Sequence, residues 1–161
     1  MMRSMRAASR LALSAAICAT ALFAAAPSAA QEVAGVIAVK SPHTPKDTMD
    51  KLEGLVKQRN LNVFARINHA AGAASVNKTL RPTELLIFGN PAGGTPLMEC
   101  SQSAGIDLPL KALVWQDAAG QVWLGYNDPA WLASRHNAAS CPVVENLRKA
   151  LAGLAEATIA R

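Results

Sequence analysis

An α+β fold, a single mostly antiparallel sheet with helices packed on one side, follows from three features of the 161-residue chain. Short apolar and β-branched runs alternate with amphipathic stretches. Two runs, Leu110 to Gln116 and Gln121 to Tyr126, are separated only by Asp117-Ala118-Ala119-Gly120, which has the length and chemistry of a hairpin turn. Helical patterns then enter at strand ends rather than after every strand, as a doubly wound sheet would require.

The elements follow in order. Val33 to Val39 alternates loosely and is read as the first strand, running toward Ser41. Thr44-Pro45-Lys46-Asp47 supplies an N-cap, a proline at the first helical position and an acid at the capping-box position. Met49, Leu52, Leu55 and Val56 then form one helical face that should end near Asn60. Val63 to Ile67 continues as a strand. The segment 69–74, His-Ala-Ala-Gly-Ala-Ala, is expected to be a short helix packed closely on the sheet. Glu84 to Phe88 is a continuous apolar strand, followed by a short helix over Pro96 to Ser101. After the hairpin, Asp128-Pro129 opens a helix through Trp131 and Leu132. Pro142 begins a last helix with Val143, Val144, Leu147, Leu151 and Leu154 along one face.

The N-terminus carries Arg3, Arg6 and Arg10 before an apolar stretch from Leu11 to Ala26, and Pro27-Ser28-Ala29-Ala30 follows. This is the pattern of a secretory signal peptide over residues 1–30, leaving 31–161 as a single domain and placing the protein in the periplasm or outside the cell. The apolar stretch is shorter than the about 20 residues that span a bilayer, so no stable membrane anchor is expected. Ile17 ahead of Cys18 disfavours lipidation there. Without the three arginines, basic residues barely outnumber acidic ones, and no nucleic-acid partner follows from charge. Cys100 and Cys141 remain as an even pair in an oxidising compartment and are expected to form a disulfide, the alternative being two separate buried thiols. The pair lacks the spacing and the neighbouring histidine of a metal site.

The most informative segment runs from Leu85 to Met98, where an apolar strand stops at Gly89-Asn90-Pro91 and the chain restarts after Gly93-Gly94-Thr95-Pro96. Its backbone N–H groups could cradle an anion. Against a phosphate loop stand the missing Gly-Lys-Ser/Thr ending and the two prolines. The plainer reading is that Asn90 and the glycines supply turn geometry with positive φ. His69 lies where a strand gives way to a helix and is the first candidate for a general base or ligand contact; helix capping is the structural alternative. Arg135 and His136 are the comparable polar cluster. His43 is read as solvated, Asp107 as an acceptor of backbone hydrogen bonds or a catalytic acid, and Tyr126 as a hairpin aromatic. No Gly-x-Ser-x-Gly or His-Glu-x-x-His occurs, so hydrolases of those kinds are disfavoured and no cofactor is specified.

From Arg66 to His136 the chain resembles the family known as domain of unknown function 302. The elements that carry the resemblance are Ile67-Asn68-His69-Ala70-Ala71, Leu80-Arg81-Pro82-Thr83, Phe88-Gly89-Asn90-Pro91, Gly94-Thr95-Pro96-Leu97-Met98, Asp107-Leu108-Pro109-Leu110-Lys111, Val114-Trp115, Tyr126-Asn127-Asp128-Pro129 and Arg135-His136. Asn68 departs from it, since the family pattern has Asp there. The resemblance implies an α+β domain that often forms a homodimer, and it implies no established activity. The expectation is a non-enzymatic protein that holds a small molecule or protein partner near His69, Asn90, Asp107, Tyr126, Arg135 and His136. The alternative is an enzyme using His69 as acid or base.

Overall fold

Local chemistry sets most of the boundaries in the computed structural model, which describes residues 33–161. The elements are β1 (Val36–Ser41), α1 (Pro45–Gln58), β2 (Asn62–Asn68), α2 (His69–Ser75), β3 (Thr83–Gly89), α3 (Pro91–Cys100), a 3₁₀ segment (Gln102–Ile106), β4 (Leu110–Gln116), β5 (Val122–Asn127), α4 (Pro129–Arg135) and α5 (Val143–Ile159). The signal-peptide segment and Cys18 lie outside the described residues. Thr44 caps α1, its Oγ1 accepting the Asp47 N–H at 3.1 Å. Asn60, with φ of 55°, turns the chain out of the helix, as an Asn does more readily than most residues. Asp117 holds the hairpin: one carboxylate oxygen accepts the N–H groups of Ala119 and Gln121, and the other accepts Nε1–H of Trp123.

The five strands form one antiparallel sheet in the order β1-β5-β4-β3-β2. Register assigns its two faces, because residues directly opposite across strands point the same way. One row, Arg66, Leu86, Ala112, Tyr126 and Ile37, faces α1 and α5. There Leu86 and Ala112 join Met49, Leu52 and Val56 from α1 and Leu151, Leu154 and Ala155 from α5 in the main core. Burying a side chain such as Met49 or Leu52 contributes about 1.5–3 kcal/mol. The opposite face carries Leu85, Leu113, Ala38, Trp115, Trp123 and Lys40. Trp115 stacks beside Trp123 with ring centres 6.3 Å apart, and it also covers Gly125, where a Cβ would fall 2.8 Å from the ring. A second apolar cluster, Leu97, Ala104, Leu132, Ala133, Ala138, Cys141, Val144 and Leu147, joins α3, the 3₁₀ segment and α4 to the other side of α5.

The structure corrects several local expectations. β1 begins at Val36 rather than Val33. α3 begins at Pro91, five residues before the expected start: the Asn90 side chain caps it by accepting the Gly93 N–H at 2.7 Å, so Gly93 and Gly94 are helical and only Gly89 has positive φ there. A strong cap with a proline behind it outweighs the low helix propensity of two glycines. α2 forms where expected but buries none of its residues, because alanine and glycine side chains offer too little apolar area to anchor it. His43 is half-buried, with Nε2 2.9 Å from the Ala160 carbonyl oxygen at the end of α5.

Candidate functional site

Where β3 ends and β4 begins, the elements part around a groove of about 710 Å³. Its floor is Phe88, Leu110, Leu147, Leu151 and Leu154, and its walls are the start of α3, Leu108-Pro109 and the α5 surface at Asn146 and Ala150. Phe64, at the bulge in β2, and Arg59, at the end of α1, form the remaining side. The Leu108–Pro109 peptide is cis. The volume falls within the range of small-molecule sites, about 300–1,000 Å³, and a mostly apolar lining with few polar groups is their usual character. Three elements of the sequence pattern, the neighbouring Phe88 to Pro91 and Gly94 to Met98 and the more distant Leu108 to Leu110, therefore line one groove.

The polar residues singled out in the sequence do not share one place. Asn90 lines the groove, with its side chain committed to capping α3. Tyr126 is buried in the main core, where burial, then the charges of Asp128 and Glu156, raises its pKa. The His69 side chain is exposed, with no hydrogen-bond partner among the described residues, and stands just past the far end of β2, about 16 Å beyond Phe64 at the strand rise per residue. Asn68 before it accepts the Ala71 N–H at 2.8 Å and caps α2, which Asp does equally well. The departure from the family pattern thus preserves the cap.

Asp107, Arg135 and His136 do converge. The Asp107 carboxylate accepts two hydrogen bonds from Arg135 Nη1 at 3.1 Å and lies 2.7 Å from His136 Nε2. This corrects the expectation that Asp107 serves backbone N–H groups: its carboxylate partners are the side chains of Arg135, at the end of α4, and His136, the residue that follows. His136 Nδ1 is 2.9 Å from Ser103 Oγ. With Nε2–H donating to Asp107, Nδ1 is left to accept the Ser103 hydroxyl proton. The imidazole is buried, 7% exposed, whereas Ser103 is exposed. Sequence reasoning found Asp107 and His136 but missed Ser103, because nothing in Gln102-Ser103-Ala104 marks that serine until the chain folds.

The disulfide between Cys100 and Cys141 ties the end of α3 to the approach to α5, as expected, with Cα atoms 6.0 Å apart. It fixes one end of the 3₁₀ segment, and the Asp107 cluster fixes the other. A second charged cluster sits on the helix-facing side of β2. Arg66 binds Glu84 through Nε and Nη2, at 2.8 and 3.0 Å, and reaches Asp50 at 2.6 Å and Glu53 at 3.1 Å on α1. Lys46 and Arg66 hold the Asp50 carboxyl below its ordinary range, and Lys57 and Arg66 do the same for Glu53. Among the described residues no three His, Cys, Asp or Glu side chains group as a metal ion would need.

The chain is 48% identical over 103 residues to proteins called fluoride-specific ion channel FluC 1 from Brucella suis biovar 1 (strain 1330) and Brucella abortus biovar 1 (strain 9-941). The match covers 64% of this chain but only 41% and 38% of theirs, so the chain spans about two fifths of these relatives. An uncharacterized conserved DUF302 protein from Bacillus stearothermophilus, solved by crystallography, shares the fold. Its TM-score is 0.71 at 20% identity, over 78% of this chain and 99% of that one. Residues 37–154 match the sequence pattern described as domain of unknown function DUF302, and the chain belongs to that family.

Proposed function

We propose that this chain is an exported small-molecule-binding domain whose ligand lies in the groove between α3, α5 and the end of β3. The observation that carries this reading is the groove itself: a mostly apolar, half-open cleft of about 710 Å³ lined by the β3–α3 motif segments and by Leu108 to Leu110. Asn90 is the one expected ligand-site residue that lines it. The arginine-led N-terminal segment supports export, and the disulfide suits an oxidising compartment. A second copy of the chain is the proposed protein partner, with light scattering as the check. Among the described residues no helix is long and apolar enough to cross a membrane.

Ala150→Trp tests the groove. Ala150 is exposed on α5 and lines the groove, so an indole there should project into it and obstruct ligand entry at little cost to stability. Binding of the fluorescent apolar probe N-phenyl-1-naphthylamine should fall at least tenfold. Unchanged binding would remove the basis of the proposal.

A second reading rests on the chain of contacts from Ser103 through His136 to Asp107. Its order is that of a base-activated nucleophile, in which the hydroxyl would attack an acyl carbonyl while its proton passes to Nδ1. If an enzyme exists here, His136 rather than His69 is its base. A fluorophosphonate probe should then label Ser103 in the wild type and not in His136→Gln. No labelling would leave the cluster as a clamp between the 3₁₀ segment and α4.

A further inference from the structure

We infer, resting on the groove reading above, that the ligand is an amphipath with one anionic head: Arg59 receives the head and the leucine floor receives a hydrocarbon chain. Among the residues that line the groove, Arg59 alone is charged. Its guanidinium donates to the carbonyl oxygens of Ala150, at 3.3 Å, and Gly153, at 3.0 Å, and makes no ion pair with a carboxylate among the described residues. Those carbonyls lie within α5 and already serve its own N–H ladder. Arg59 is thereby held over the α5 side of the groove by neutral acceptors, and N–H donors remain for a planar anion. The negative end of α1, where Arg59 is the C-cap, offsets part of its charge, about half a unit at most. A net positive mouth over an acid-free apolar floor favours a carboxylate amphipath over its neutral or cationic counterpart.

Displacement of N-phenyl-1-naphthylamine by decanoate, decanol and decyltrimethylammonium measures this preference. Because Arg59 is exposed, the gain from its charge should be modest, about fivefold for decanoate over decanol, and should shrink as salt rises. Lengthening the chain should tighten both by about fourfold per buried methylene. Arg59→Gln should abolish the preference for decanoate over decanol, read as the ratio of the two within that variant, and Arg59→Lys should retain most of it. Decyl phosphate, run beside decanoate, reports whether the mouth accepts any anionic head or selects a carboxylate; binding weaker than decanol by both would overturn the inference. Equal binding of acid and alcohol by the wild type at low salt, which needs no variant to fold, would also overturn it while leaving the groove reading intact. Failure of every amphipath to displace the probe would instead count against the groove reading itself.

Discussion

The two ends of β2 are built on opposite plans. At its start, α1, α3, α5 and the approach to β4 converge around the groove, with the Cys100–Cys141 disulfide and the Asp107 cluster holding the neighbouring 3₁₀ segment. At its finish, α2 buries nothing and His69 stands exposed. Both ends carry a histidine near a helix terminus, and in the sequence His69 was the first candidate, with His136 in the comparable cluster. What separates them is the number of other elements that reach the same place. A polar residue gains partners, and with them energetic weight, only where several elements meet.

Breaking the disulfide should produce the largest difference between the ends. The two cysteines are 41 residues apart, and freeing such a loop in the unfolded chain costs about 4 kcal/mol by loop-closure entropy. Urea unfolding of Cys100→Ala/Cys141→Ala should show a loss of that order together with weakened probe binding in the groove. A loss below about 1 kcal/mol would mean that the groove end is held by packing alone.

The histidines offer the direct contrast. His136→Ala removes a buried imidazole and leaves the half-buried Asp107 carboxylate with Arg135 alone, and should cost about 1–3 kcal/mol. His69→Ala removes an exposed side chain without partners and should stay within about 0.5 kcal/mol. Equal losses in the two variants, measured under one set of conditions, would erase the contrast between the two ends of β2.

Arg66 lies between the two ends and links β2 to α1. Arg66→Ala leaves Glu84, Asp50 and Glu53 facing one another and should cost about 1–2 kcal/mol, the lower part of the range for charged hydrogen bonds because the site is partly exposed. Since Asp50 and Glu53 titrate below their ordinary values of 3.8 and 4.5, their contribution is fully present above that range. It is lost as pH falls through the lowered folded values. The wild type should therefore lose stability on acidification below about pH 4.5, and the variant should show a shallower loss there in thermal melts.

The smallest effect concerns Asn68. Asn68→Ala should cost about 1 kcal/mol through loss of the α2 cap, whereas Asn68→Asp should be neutral within about 0.5 kcal/mol. A large gain or loss with Asp, read by chemical denaturation, would show that the family's carboxylate does more than cap.

Some of this architecture was legible residue by residue. Thr44-Pro45 and Asp128-Pro129 announce helix starts because capping is local, and Asp117 to Gly120 announces the hairpin because turn chemistry is local. Asn90-Pro91 was equally legible as a cap, yet the glycines behind it obscured it: propensity disfavoured a helix, and the cap with tertiary contact overrode that preference. The 3₁₀ segment had no periodic signal to give.

By itself, then, the sequence determined the alternation of strands and helices, the hairpin, the cysteine pair and the family, all of which depend on short-range chemistry or on ordered motifs. Only the tertiary structure decided that Asn90, Leu108 and Arg59 surround one groove and that His136 meets Asp107 and Ser103 while His69 meets nothing. Each of those is a meeting of residues tens of positions apart. The order of strands in the sheet and the packing of α5 between two apolar clusters bring them together, and no local pattern encodes the distance between them.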